Sequence, residues 1–414
     1  MSGGLAAGLA DTRAKALLAG LLALLAATML VWRGGLVAFP DEREYLTLAR
    51  NLLASGTLGS QAGTPSAYRL PLYPAFLAAI LALRDSVLLV QAVQLGLWLV
   101  TGLLLGAIAR ARGGPLAGLL ALGLWGAYPQ GLYLATTLYP QALLAPMLAL
   151  SLAMALGRPT VPRAALLGLL GGLATLVVAN ALLVAAIHLL LAGSRLPGRR
   201  ALVALLLGGA LLAVPPGLWI ARNAWTLGAP ILTSNTGINL LLGNAPGATP
   251  QSGTGLDLTA YEAATRGLSE LEADRVFRSI ALEAIRADPL RAATLYLGKL
   301  GHWLAASDRL ATASEQSPAR SLLAAVGWYG LLALLLLGTL AAARAGRLEA
   351  GLLVAGWGAW LATAFAYAVF FTRVRFRIPF DVLPVPLAAI GLAGLLGEGV
   401  PRRSPTAAGS DRSQ

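Results

Sequence analysis

Apolar runs of roughly 20 residues recur along this chain, and as helices each is long enough to cross a hydrocarbon layer of about 30 Å. Backbone amides in lipid find no water to bond, so every run must satisfy its own polar groups, and helices do so within one segment. Only 12% of the 414 residues are charged and 57% are hydrophobic, whereas a soluble domain carries about 25% charged residues. The expectation is an all-α polytopic membrane protein with about ten transmembrane helices.

The first run, Ala16 to Val37, follows Arg13 and Lys15. It exceeds the core of a signal peptide, roughly 7–15 residues, and reads as a retained anchor occupying residues 1–37. Further spans are expected at Val87–Ala109, Pro115–Leu134, Ala142–Leu156, Ala164–Val178, Leu182–Ala192, Ala201–Ile220, Leu322–Ala343, Ala350–Phe371 and Ile378–Leu396. Their loops alternate between basic ones, such as Arg110/Arg112, Arg158/Arg163 and Arg195/Arg199/Arg200, and chargeless ones. Basic loops stay in the cytoplasm. Residues 38–86 and 222–320 then form two outer-face loops, with transmembrane helices at 87–221 and 321–398 and a disordered cytoplasmic tail at 399–414.

The net charge of +13 is assigned to loop arginines facing membrane lipids with anionic headgroups, not to nucleic acid. With no cysteine, disulfides and thiolate metal sites are excluded, and two histidines (His188 and His302) argue against a histidine-rich metal centre.

Between Ser86 and Leu256 the chain has no Asp or Glu, so Asp41, Glu42 and Glu44 stand nearly alone near the membrane. Ionisable groups at such depth are costly and mark function. Tyr45, Leu48, Ala49, Leu52 and Leu53 form one apolar stripe of a short interfacial helix ended by Gly56, and Leu72–Leu83 forms a second, half-length helix. Asp41 as N-cap with Glu44 as its partner is the structural reading of the acidic pair; a poised general base at Asp41 is the functional one. The prolines of Tyr68-Arg69-Leu70-Pro71-Leu72-Tyr73-Pro74 fix a turn that can hold Arg69 beside the carboxylates, where a guanidinium can grip phosphate.

Arg373, Arg375 and Arg377 crowd a short outer loop that would ordinarily avoid such charge, and suit a lipid phosphate at that depth. Asn amides at Ser234–Asn239 and Gly243-Asn244 can bond sugar hydroxyls. Residues 222–320 hold about half of the acidic residues. There, Ser269 with Glu272 opens a helix to Ala287, and a second helix follows with Leu290, Ala293, Leu297, Leu300 and Leu304 on one face, together forming a cap.

Pro40-Asp41-Glu42-x-x-Tyr45, followed by Arg69-x-Pro71-Leu72-Tyr73-Pro74, resembles the first outer loop of GT-C glycosyltransferases, nearest the protein O-mannosyltransferases and the bacterial lipid A aminoarabinose transferases. Arg222-Asn223 through Pro246, Ser269–Pro289 and Arg375-Phe376-Arg377-Ile378-Pro379 also look like stretches of those sequences. The resemblance implies an inverting transferase of the bacterial inner membrane. Its site would face the periplasm, its donor would be a polyprenyl-phosphate-linked sugar, and its acceptor would be a glycan, lipid or protein.

Asp41 matches the family's catalytic aspartate and Arg69 its carrier-phosphate position. Substrate-binding candidates are Glu42, Arg69, Tyr73, Asn244, Arg375 and Arg377, with Glu44, Gln141, Lys299, His302 and Arg373 as further positions. Gln141 and Tyr68 occupy places that are acidic in relatives. No cofactor is required, and a divalent metal stays an open alternative. Two rivals share these residues: a transporter or flippase of an isoprenoid-linked or anionic lipid, and a catalytically silent relative.

Overall fold

The computed structural model describes residues 2–251, 256–308 and 317–397, in which every regular element is a helix. The expected tail at 399–414 lies outside the described residues. In chain order the N-terminal half comprises α1 (Ser2–Arg33), α2 (Pro40–Ser55), α3 (Leu72–Leu83), α4 (Val87–Gly113), α5 (Pro115–Gly126), α6 (Pro129–Leu134), α7 (Gln141–Leu156), α8 (Val161–Thr175) and α9 (Ala181–Ser194). Then follow α10 (Gly198–Leu227), α11 (Thr236–Asn244), α12 (Thr259–Ala264), α13 (Glu270–Ala287), α14 (Pro289–Trp303) and α15 (Pro318–Arg344). The chain closes with α16 (Ala350–Leu353), α17 (Ala359–Val369), α18 (Val374–Arg377) and α19 (Val385–Leu395).

Among the described residues, five helical stretches are long and apolar enough to cross a membrane: Ala16–Arg33, Val87–Gly113, Gly198–Leu227, Pro318–Arg344 and Ala350–Val369. This is a membrane protein. Six further apolar helices are shorter. The stretch expected to span Pro115–Leu134 is broken into α5 and α6 at Ala127-Tyr128, just before Pro129, whose ring cannot continue a helix. The expected span from Ile378 is likewise interrupted by a 3₁₀ turn at Phe380–Val382. Such pieces, α7 above all, are largely buried among other helices, so length against a bilayer does not constrain them.

Between α16 and α17 the rod widens into a π-turn at Val354–Gly358. There His188 Nε2 donates to the Ala355 carbonyl at 3.0 Å and Nδ1 faces Ser151 Oγ at 2.7 Å. This buried histidine has both ring nitrogens bonded within the bundle.

Two buried glutamines on one face of α4 hold the irregular backbone around the later site. Gln91 Oε1 accepts from Gly35 N (2.8 Å) and its Nε2 donates to Thr136 O (2.8 Å). Gln94 Nε2 donates to Ala135 O (3.0 Å) and Thr137 O (2.8 Å), while its Oε1 accepts from the Tyr73 hydroxyl (2.7 Å). In the buried, chargeless link after α6 the carbonyls of residues 135–137 are therefore met by glutamine side chains and their amides by backbone carbonyls, as polar groups away from water require.

Two helices of the large loop, α13 and α14, lie where the sequence puts them, and α11 and α12 come in addition. Ser269 and Glu272 form the expected capping box, and Asp288 ends α13 and caps α14. Most of the apolar stripe of α14 faces away from the protein, Leu300 excepted. Leu290, Leu297 and Leu304 are 78%, 66% and 42% exposed, while Leu295, Lys299, His302 and Trp303 face the protein. Periodicity finds an apolar stripe but cannot tell protein from lipid on its far side.

α15 and α19 meet backbone to backbone: a Cβ on Gly391 would collide with the Gly338 carbonyl, and one on Gly338 with the Ala388 carbonyl. Small residues allow this approach where apolar surface alone gives helices no reason to associate. Gly391→Val is expected to destabilise the protein by about 1–3 kcal/mol, read as a lowered midpoint of thermal unfolding in detergent. The exposed Gly330→Val, with open space at its Cβ, is the control and should leave the midpoint nearly unchanged.

Candidate active site

Pro40 occupies the first turn of α2, where its missing amide costs nothing, and Phe39 precedes it in extended conformation as N-cap. The box partner is then Glu42, which accepts from Phe39 N (2.9 Å) and Ala38 N (2.8 Å). This corrects the expected register, in which Asp41 capped the helix with Glu44. The shift leaves Asp41 and Glu44 three residues apart, on one helical face, with their carboxylates unused by the helix.

Both turn to Arg69. Its Nη2 lies 3.0 Å from Asp41 Oδ1 and also bonds Glu44 Oε2, and its Nε donates to Glu44 Oε1 at 3.0 Å. Arg69 is delivered by an extended segment tied to the large loop. Ser234 N donates to Ala67 O (3.1 Å), Asn235 Nδ2 to Tyr68 O (2.7 Å), and Glu270 accepts from Ala67 N (3.0 Å) and Ser66 Oγ (2.6 Å).

The second guanidinium comes from the far end of the chain. Arg375 Nη2 donates to Asp41 Oδ2 at 2.6 Å, and the group lies over the Tyr139 ring at 4.5 Å. Its Nε is buried with no hydrogen-bond partner among the described residues. Asp41, Arg69 and Arg375 thus converge on one cavity of about 1350 Å³, which Gln141 and Arg373 also line. Burial alone would raise the Asp41 carboxyl; Arg375 and Arg69 outweigh it and hold the group below its ordinary value.

Arg377 departs from the expected trio. It is fully buried, 3.1 Å from Asp381 through Nε, with Nη1 on Trp303 O (2.7 Å) and its guanidinium 3.4 Å from the Trp328 ring centroid. It braces the bundle and does not reach the cavity. The cause is an acidic residue four positions on in the next turn, which pairs with Arg377 and not with its neighbours.

Several other candidates are also structural. Glu42 is buried, with its remaining oxygen accepting from Leu138 N at 2.9 Å, so it joins the first loop to the link after α6. Tyr73 is spent on Gln94. Asn244 and Lys299 form one buried knot: Lys299 Nζ donates to Phe370 O (2.8 Å), Gly243 O (3.2 Å) and Asn244 Oδ1 (3.3 Å), and Asn244 Nδ2 to Val369 O (3.0 Å). Glu44 stands behind Arg69, outside the large cavity. His302 donates to Asp308 Oδ1 at 3.1 Å.

Asp308 is the residue that sequence reading passes over. It lines the cavity, accepts from Val374 N at 3.0 Å, and lies 3.6 Å from Arg373 Nε. Burial would raise it, but His302 and Arg373 hold it below its ordinary value. It supplies a second carboxylate from the large loop, where Gln141 offers none. Its position in an irregular segment after α14 leaves no periodic signal by which to find it. Asn235 and Asn239, from the stretch whose amides the sequence offers to sugar hydroxyls, line the cavity, and so do Tyr139 and Asn180.

Both oxygens of Asp41 are bonded by guanidinium, and the positive charge around it repels a divalent cation; the residues present fit an anion better than a metal. Comparison with known protein families, with curated proteins and with solved structures gives no match in any of the three.

Burial lowers the Lys299 ammonium to about 8, against about 10.4 in an unfolded chain. Between those values the unfolded chain keeps the proton and the folded one releases it, so stability rises as pH climbs through the window. Below about pH 8 the full penalty of the buried charge is present. Thermal unfolding followed from about pH 8 to 10 should show this rise, and Lys299→Met should flatten it.

Proposed function

We propose that the protein is an inverting glycosyltransferase with a GT-C-like fold of about ten spans. In this reading it lies in a bacterial inner membrane with its cavity facing the periplasm. It moves a sugar from a polyprenyl-phosphate donor to an acceptor hydroxyl. The observation that carries the reading is Asp41 held between Arg69 and Arg375 on a large cavity, with Arg375 Nε still unpartnered.

Asp41 is the general base. A carboxylate this well paired is a weak base at rest, and the donor changes that. Its phosphate draws the Arg375 guanidinium, whose idle Nε and shared Nη2 suit two phosphate oxygens. Asp41 Oδ2 is then left to accept the acceptor's proton. As the acceptor oxygen forms its bond to the anomeric carbon, the bond from that carbon to the phosphate oxygen breaks and its electron pair leaves with the lipid phosphate. That leaving group is a phosphate monoester with second pKa about 6 and needs little protonation. Arg69 and Arg375 stabilise the charge it gains, and Asn235 and Asn239 on the cavity wall face the sugar hydroxyls.

Membranes bearing the protein, supplied with radiolabelled polyprenyl-phospho-sugars, should transfer label to an acceptor fraction. Asp41→Asn at unchanged expression should lower the rate by about 10²–10⁴-fold. Label that crosses the bilayer without being transferred would point instead to a flippase, and full transfer by the Asn variant would remove Asp41 from its role.

A further inference from the structure

The cavity is lined by a further cation that the transfer chemistry does not use. Arg33, the last residue of α1, is only 7% exposed yet lines the cavity. Its Nη1 donates to the Tyr133 hydroxyl at 3.2 Å and its guanidinium lies 4.9 Å from that ring's centroid. Its Nε and Nη2 have no hydrogen-bond partner among the described residues. Glu42, the nearest carboxylate, is 3.9 Å from Nη2, beyond hydrogen-bond reach, and its oxygens already serve three amides. A buried guanidinium with two idle nitrogens is costly unless an acceptor completes it.

The surroundings say what kind of acceptor. Gln130, one turn before Tyr133 on α6, also lines the cavity, and its Oε1 is buried without a partner while its Nε2 donates to Ala324 O at 2.6 Å. α1 and α15 both pack on α6. Between them, Trp32 of α1 and Leu323 of α15 line the cavity and are also 55% and 60% exposed, so they form its mouth. Both belong to helices that are long and apolar enough to cross a membrane, and Met29 continues the apolar wall inward. Arg320 stands at the same mouth, in the first turn of α15. An apolar slot opening between two spanning helices and ending at an unsatisfied guanidinium matches an anion carried on an apolar chain.

We propose that Arg33 is the head-group site of a lipid phosphate that enters between α1 and α15, separate from the Asp41 centre. Gln130 Oε1 takes a hydroxyl beside the anion. The assignment does not rest on the transfer reaction, and a protein without transferase activity would bind the same lipid.

Dodecyl phosphate is the probe, added to the full-length protein in a neutral detergent, with binding followed by calorimetry. Because the Asp41 centre can also take phosphate, the measurement uses an Arg375→Gln background. Binding should persist there, and adding Arg33→Gln should weaken it about ten- to hundredfold. Equal binding with and without Arg33 overturns the proposal. So does dodecanol binding as tightly as dodecyl phosphate, and inorganic phosphate doing so would overturn the lipid assignment. A photoreactive alkyl phosphate on the unmutated chain gives a readout independent of variant folding. Label on residues 29–33, 130–133 and 323 supports the site, and label confined to 68–70 and 373–376 overturns it.

Discussion

One carboxylate organises this molecule. Asp41 is bonded through Oδ1 to Arg69 and through Oδ2 to Arg375, two residues that reach it from opposite ends of the chain. Partly buried charge is tolerable only when matched, and losing one partner of such a pair costs far more than the pair itself contributes. The three groups must therefore be brought to one place by packing that carries no charge of its own. That task falls to α2, to the extended segment tied to Ser234 and Asn235, and to the turn of α18.

The means are amides. Gln91 and Gln94 bind the backbone of both the segment before α2 and the link after α6, and Glu42 joins the same two pieces from the other side. Irregular backbone within a membrane protein survives only where protein satisfies it, and here three side chains do most of that work. Glu42 looked like chemistry because it sits beside Asp41. Its neighbours show it to be the hinge pin of the floor on which Asp41 stands.

The sequence made α13 and α14 of the large loop and the pairing of Asp41 with Arg69 legible, because capping boxes and proline turns act locally. The α2 register was misread by two residues: Asp is among the favoured N-cap residues, but Pro40 at the first helical position moves the cap to Phe39. Arg377 and Asp381, four apart, are readable as a structural pair, but Arg377 alone was taken, as a substrate contact. Asp308 and Arg33 were not legible at all. One sits in an irregular segment, and the other ends a span like any arginine that reaches for headgroups; only the fold turns them toward the cavity.

In the proposed transfer the total charge at the centre is conserved. A donor phosphodiester carries one negative charge and Asp41 carries another. After transfer the carboxyl is neutral and the phosphate doubly charged, so the cavity's total is unchanged while one unit of charge moves from carbon-bound oxygen to phosphorus-bound oxygen. The cost of that movement depends on what must reorganise. Arg375 already bonds the oxygen that loses charge, and its unused Nε leaves it able to follow the charge to its destination. A site that matched Asp41 with an immobile, fully satisfied cation such as Arg377 would stabilise the resting carboxylate alone and oppose the step.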